Sequence, residues 1–245
     1  MAALAMTSCQ LFGLVAETGN GVRFETTIEV GDFNALSVPS SLDVVYTQTA
    51  GEQSVTLVCD ENLFEYYNIR VEDNTLIAGI KPGVVNISPR VKTVLTVNSP
   101  VLNQVKVSGS GDCDVEGLLA VGESFLVRVS GSGDFHARER VTAKNLTATT
   151  SGSGDIGFTE VFAQAAEFKS SGSGTVGVDA LTAESIKAST TGSGDIYLTC
   201  KDAGYIEAST SGSGDIVLNG NAQSINSKST GSGRVNSKNL IIPGK

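Results

Sequence analysis

From residue 103 to 237 the chain alternates apolar and polar positions in short runs separated by glycine-rich corners. The corners are Ser108-Gly109-Ser110-Gly111-Asp112 and the equivalent stretches 130–134, 151–155, 171–175, 191–195, 211–215 and 230–234. Their first residues are separated by 22, 21, 20, 20, 20 and 19 positions. Self-similarity at this period marks a solenoid. Two, four and six residues before the first glycine of each corner, the side chains are mostly apolar or small. One such set is Val105, Val127, Ala148, Phe168, Ala188, Ala208 and Ser227, and the set that begins at Asn103 continues through Phe125, Leu146 and Ile186. The positions between them carry Lys, Arg, Glu, Thr and Ser. After each corner the pattern resumes, with Cys113, Phe135, Ile156, Val176, Ile196, Ile216 and Val235 facing inward. Period two is the mark of a strand with one buried face.

Each coil is therefore predicted to hold a strand, a glycine corner, a second strand and a looser return such as 201–204. Inward residues shrink toward the corner, which predicts a narrow wedge. Glycine suits the corner because it tolerates positive φ and close approach of neighbouring coils. The corner serines from Ser110 to Ser232 are placed to hydrogen-bond along their column. Paired glycines every 20 residues with β-branched alternation oppose a helix, and a propeller blade would need roughly 40 residues. The prediction is an all-β, right-handed parallel β-helix with about 20-residue coils and a less regular β-rich N-terminal part.

In that N-terminal part, strands are expected at 22–30, 35–38, 42–48, 54–59, 75–80 and 91–97. A helical turn is expected at 61–67, with Asp60 as its N-cap. An uncovered solenoid end invites aggregation, so this region should hold irregular early coils plus a cap. The expected organisation is a leader or tail at 1–19, irregular coils and cap at 20–105, the seven-coil solenoid at 106–237, and a closing tail with Pro243 at 238–245. Residues 20–237 are expected to form one continuous domain.

Composition agrees with thin repetitive β-structure. Among 245 residues, aromatics are 6%, Trp is absent and Gly numbers 28. A net charge of −9 without a Lys/Arg cluster argues against nucleic acid as a partner. No apolar run approaches the roughly 20 residues of a spanning helix. Met6-Thr7-Ser8-Cys9 resembles the end of a bacterial lipoprotein signal, so Cys9 is the lipidation candidate and the only expected contact with a membrane. The apolar stretch before it is shorter than a usual signal core. Cys59, Cys113 and Cys200 lack metal or redox spacing and are expected to be buried free thiols.

Asp112, Asp134, Asp155, Asp195 and Asp215 should stack in one column. Unit charges roughly 5 Å apart repel by about 0.8 kcal/mol even in water. Such a column suggests Ca²⁺ held between turns, because hard cations favour several carboxylates and carbonyls. The opposing reading is that each Asp accepts backbone N–H groups and holds the turn. That reading needs no metal and is preferred; under it the protein has no cofactor. Thr175 and Arg234 interrupt the column. An enzyme would need carboxylates or bases converging in a groove, and coils of such uniform length leave little to build one. His136, near Arg138, Glu139 and Arg140, is expected on a solvated surface rather than as a general base. No catalytic residue is assigned. The outward columns mix Lys, Glu, Ser and Thr without a regular T-x-T array, which weighs against a flat glycan- or ice-binding face.

The pattern resembles the auto-transporter adhesin family named for its head GIN domain. The likeness runs over residues 22–237. It rests on Phe24 to Val30, Phe33-Asn34-Ala35-Leu36, Leu42-Asp43-Val44-Val45-Tyr46-Thr47-Gln48, the stretch Val55 to Leu63, and the S-G-S-G-D turns. The resemblance implies a β-helix fold, a cell-envelope setting and, less directly, adhesion. The expected function is a non-enzymatic envelope or surface display module, bound by a lipid anchor or free in the periplasm or outside the cell. Its partner is a glycan, a protein or a second copy. A Ca²⁺-binding solenoid and a carbohydrate-active enzyme are the alternatives.

Overall fold

The computed structural model describes residues 15–243. Its first nine strands are β1 (Val15–Thr18), β2 (Arg23–Thr27), β3 (Ala35–Val38), β4 (Asp43–Gln48), β5 (Ser54–Asp60), β6 (Tyr67–Glu72), β7 (Thr75–Ile80), β8 (Val84–Ser88) and β9 (Val94–Ser99). They are followed by β10 (Gln104–Val107), β11 (Cys113–Glu116), β12 (Leu119–Ala120) and β13 (Ser124–Val129). Then come the long strands β14 (Phe135–Thr150), β15 (Ile156–Ser170), β16 (Val176–Thr190), β17 (Ile196–Thr210) and β18 (Ile216–Ser229), and finally β19 (Val235–Ile241). The expected all-β solenoid is present.

From β10 onward the coils stack parallel, and the predicted columns are physical ones. Val127 pairs with Ala148, Ala148 with Phe168, Phe168 with Ala188, Ala188 with Ala208, and Ala208 with Ser227. The inward ladders form one continuous hydrophobic core from Phe33 to Leu240. Phe125, Phe135 and Phe158 stack within it, with ring centroids 6.2 and 5.5 Å apart. Asn103 departs from the prediction: it is exposed, and Leu102 fills the core there instead. Returns predicted to be loose are mostly strand. Stretch 201–204 lies inside β17, and the register shifts between Cys200 and Ala203.

The N-terminal part follows a less direct path. β3 and β4 form a coil in register beneath β10 and β11, with Val107 over Val38 and Cys113 over Val44. β7 and β9 then stack parallel on the far side of that coil. The chain thus builds its second coil first, drops to build the outermost one, and returns to stack residue 104 on residue 35. β5 and β2 add antiparallel on one face and β6 on the other. These strands cover the parallel edges. The outermost, β2 and β6, carry the exposed pairs Arg23–Glu25 and Arg70–Glu72, each at 2.6 Å. Charge on an outer edge discourages further pairing.

At the other end, 238–241 continue the last strand rather than forming a separate cap, and Leu240 and Ile242 pack on the core. Inward positions there become Ser227, Ser229 and Ser237, so the apolar ladder ends in hydroxyls.

Residues Val15 to Thr18, placed in the leading tail by sequence, pair with β8. A polar clamp holds the segment that follows. Asp60 is fully buried, and its carboxylate accepts the backbone N–H groups of Gly21 (2.7 Å), Arg90 (2.9 Å) and Val91 (2.9 Å). The 3-10 helix Glu61–Tyr66 forms where a helical turn was expected, but Asp60 makes no side-chain cap to it. Its carboxylate is used across the fold instead. Desolvation pushes the Asp60 pKa up, but the N–H groups of Val91, Gly21 and Arg90, with the Arg90 charge, outweigh it and hold the net value below the usual range. Beside it, Asn62 accepts from the Asn20 N–H at 2.8 Å and donates to the Thr18 carbonyl at 2.9 Å.

Candidate functional site: the turn column and the face beside it

The glycines of the corners are explained by stacking alone. A Cβ on Gly131, Gly152, Gly172, Gly192, Gly212 or Gly231 would land inside the carbonyl oxygen of the matching glycine one coil below. The second glycine of each corner meets the same obstacle. None of them has positive φ, so of the two reasons sequence offers for glycine, close approach is the one that acts. Each corner is braced from within. The buried hydroxyls of Thr150, Ser170, Thr190 and Thr210 donate to the carbonyls of Gly154, Gly174, Gly194 and Gly214 at 2.8–2.9 Å. The corner serines are exposed, and it is their backbone N–H groups that bond along the column, as Ser153 does to the Gly131 carbonyl at 3.0 Å.

The five aspartates do stand in one column, and they are linked in a staircase. The Asp112 carboxylate accepts the backbone N–H of Asp134 at 2.9 Å, and Asp134 that of Asp155 at 2.7 Å. Asp155 accepts from Thr175 at 2.6 Å, Asp195 from Asp215 at 2.7 Å, and Asp215 from Arg234 at 2.7 Å. The receiving position needs only a backbone N–H, so Thr175 and Arg234 fit without a carboxylate. The column also begins one coil earlier than sequence indicated, because Asp43 accepts from the Asp112 N–H at 3.1 Å. The corner 39–43 has no glycine; its Ser and Asp offsets were the available signal. Among the described residues, no group of three or more His, Cys, Asp or Glu side chains is gathered to hold a metal ion.

Beside the aspartates lies the outward column His136, Gly157, Gly177, Tyr197. His136 is half-buried. Its neighbouring arginines reach adjacent coils: Arg138 pairs with Asp114 at 2.6 Å and Arg140 with Glu160 at 2.7 Å. Arg140 also lies 4.7 Å over the Phe162 ring. A shallow hollow of about 190 Å³ lies over Gly157 and Gly177, rimmed by His136, Arg138, Thr159 and Asp179. The Tyr197 hydroxyl donates to Asp195 at 2.8 Å, and this bond, with desolvation and the Asp195 and Asp215 charges, raises its pKa. The hollow escaped the sequence reading. Its signal was a glycine at an outward position two residues past each of the corners 151–155 and 171–175.

Cys59, Cys113 and Cys200 are buried and free. Desolvation raises all three thiol pKa values, to about 11 for Cys59 and Cys200 and further for Cys113. The neighbouring charges of Asp60 at Cys59, and of Asp114 and Asp112 at Cys113, add to the rise. Cys9 lies outside the described residues.

Parallel coils of about 20 residues, closed at one end by antiparallel strands, define a β-solenoid of the repeat-built, surface-presenting kind. A family profile described as "Putative auto-transporter adhesin, head GIN domain" matches residues 32–213, and the chain belongs to that family. Solved structures agree. A putative adhesin from Parabacteroides merdae is 25% identical with a TM-score of 0.76, over 90% of this chain and 99% of that one. One from Parabacteroides distasonis is 26% identical with a TM-score of 0.76, over 91% and 99%. One from Bacteroides fragilis is 24% identical and shares the fold at a TM-score of 0.79, over 92% and 100%. Comparison with curated proteins finds no match.

Proposed function

We propose that the protein is a non-enzymatic display or adhesion module of the cell envelope, held to a membrane through lipid on Cys9. Its partner is a glycan or protein of another surface. The observation that carries this reading is the register of the coils. From coil to coil the outward positions on either side of each corner stay in register, as in Lys169, Ser189 and Ser209, which suits extended contact with a surface rather than turnover in one enclosed pocket. Membership of an adhesin family supports it. His136 supports the non-enzymatic part, because among the described residues no carboxylate stands in hydrogen-bond contact with it to orient it as a base.

Displaying the full chain on a non-adherent Gram-negative host tests the proposal. Adherence to mucin- or matrix-coated surfaces should rise and should fall when free protein competes. Unchanged adherence with verified surface display would overturn adhesion. Release of reducing sugars from a polysaccharide panel would overturn the non-enzymatic reading. Loss of palmitate labelling in Cys9→Ser tests the anchor, and equal labelling of both forms would reject it.

A further inference from the structure

The two ends of the solenoid are finished differently. At the N-terminal end, antiparallel strands cover the parallel edges. Among the described residues nothing does so at the C-terminal end. Residues 222–229 of β18 pair with β17 on one side only, because β19 pairs with β18 no further than Asn221. Among the same residues, β19 pairs with β18 alone. Both sheets therefore end in a free strand edge, whose outward backbone N–H and C=O groups are a template for one more strand. The core shows the same gap. Ala208 and Thr210 are buried, yet Ser227 and Ser229, paired with them one coil on, are exposed. Ile225, Val235 and Ile242 are only partly buried against the core.

Charge says what kind of strand fits. Natural edges are guarded by charge, lysine above all. On β2 and β6 the guard is a pair of opposite sign, Arg23–Glu25 and Arg70–Glu72. The last coil has one sign only. From Ile216 to the last residue the sequence carries Lys228, Arg234, Lys238 and Lys245 and no Asp or Glu, in a chain whose net charge is −9. Lys228, Arg234 and Lys238 make no ion pair among the described residues. The same end of a second copy is therefore repelled and an acidic segment is attracted. The opposite end of a second copy fits poorly, because its edge strands are guarded by Arg23 and Arg70 as well as by carboxylates. The side chains along the edge set the pattern. Asn226 and Lys228 continue the outward columns of Glu207 and Ser209, while Ile225 and Ser227 continue the inward columns of Ile206 and Ala208. A strand added here would set every second side chain over Ile225 and Ser227, and the ones between beside Asn226 and Lys228. Opposite charges across a strand pair stabilise it.

We infer that the free edge at residues 222–229 takes up an extended acidic segment of a partner protein as one more strand, with apolar side chains inward and Asp or Glu outward. In strand addition of this kind the backbone hydrogen bonds supply affinity and the alternate side chains supply choice. This deepens the adhesion reading by giving the partner a chemistry, and it rests on that reading only for its biological use.

The probe is a short end-blocked fluorescent peptide that alternates Glu and Val. Its anisotropy should rise saturably with the full chain, and its affinity should fall several-fold from low to high salt as the charges are screened. The same peptide with Lys in place of Glu should not bind. N-methylation of every Val, or of every Glu, blocks one or the other edge of the peptide, and one of these two forms should lose binding. Lys228→Glu combined with Lys238→Glu, both at exposed positions, should lose the Glu peptide and accept the Lys peptide while the thermal midpoint is kept. The inference is overturned by absence of saturable binding of the Glu peptide, by undiminished binding of both N-methylated forms, or by equal binding to the native chain and the double variant. Oligomers of the native chain in sedimentation that disperse in the double variant would put a second copy on this edge and also overturn it. Cell adherence is read separately. If the double variant loses the peptide but adherence persists, adhesion uses another face. If adherence is absent in both forms while the native chain binds the peptide, the edge stands and the adhesion reading fails.

Discussion

The Asp155 carboxylate accepts the backbone N–H of Thr175 at 2.6 Å, one coil further along. Thr175 receives this bond but has no carboxylate to pass it on to Asp195, and the staircase resumes only between Asp195 and Asp215. The aspartates therefore tie each coil to the next through a side chain to backbone bond.

Asp155→Asn keeps the accepting oxygen and removes one charge. Its unfolding midpoint should match or slightly exceed that of the native protein. Asp155→Ala should lose about 1 kcal/mol, the net worth of an exposed hydrogen bond. If Ca²⁺ sits between turns, millimolar Ca²⁺ will raise the native midpoint and Asp155→Asn will respond less. An unchanged midpoint in Ca²⁺ rejects that alternative, and thermal unfolding with and without the ion decides it.

Two glycines of the same strand-and-corner unit should behave in opposite ways. Gly172→Ala places a methyl group inside the Gly152 carbonyl. It should destabilise by about 3 kcal/mol or more, because backbone on both coils must move. Gly177→Val enters open space in a strand and should be neutral or stabilising by up to about 1 kcal/mol. Denaturant unfolding of the two variants gives the comparison directly.

Acid should loosen the N-terminal clamp. The net pKa of Asp60 is depressed in the folded state. Its contribution is therefore present above the unfolded value near 3.9 and is lost as pH falls through the folded value. Stability measured from pH 6 to pH 3 should decline in the acid part of that range. Asp60→Asn should be less stable at neutral pH by about 2 kcal/mol, since its amide oxygen can still accept from Arg90 and Val91 but its NH2 then faces the Gly21 N–H, which loses its acceptor, and its decline in acid should be shallower. Equal slopes for the two proteins would show that other carboxylates carry the effect.

The three buried thiols should be inert in the folded protein. Their raised pKa values leave little thiolate at pH 8. Maleimide or aromatic disulfide reagents should modify Cys59, Cys113 and Cys200 only after denaturant is added, as counted by mass spectrometry. Rapid labelling of any of them in native buffer would show that its coil opens.

Much of this fold was legible because a solenoid repeats its local rules. Period-two alternation placed Phe135, Ile156, Val176, Ile196 and Ile216 on one inner ladder, and corner spacing placed the aspartates in one column. Prediction failed where the pattern had no repeat to reinforce it. Strands β6 and β8 were missed, the corner 39–43 was unrecognised without its glycines, and Asn103 was placed inside when Leu102 is the buried residue. The candidate site divided the same way: the aspartate column was readable, while the hollow over Gly157 and Gly177 was not.

By itself, the sequence determined that the chain would fold into stacked coils of about 20 residues, and where each would bend. Alternation and corner glycines act within a coil or between adjacent ones, so position along the chain is enough to read them. Tertiary structure decided which strand lies on which in the N-terminal part: residue 104 stacks on residue 35 after a detour of more than fifty residues, and β2, β5 and β6 turn antiparallel to close the edge. It also decided what each glycine is for. A corner glycine and Gly177 read alike in sequence; only the atoms of the neighbouring coil distinguish a place where backbone leaves no room from one where room is left open.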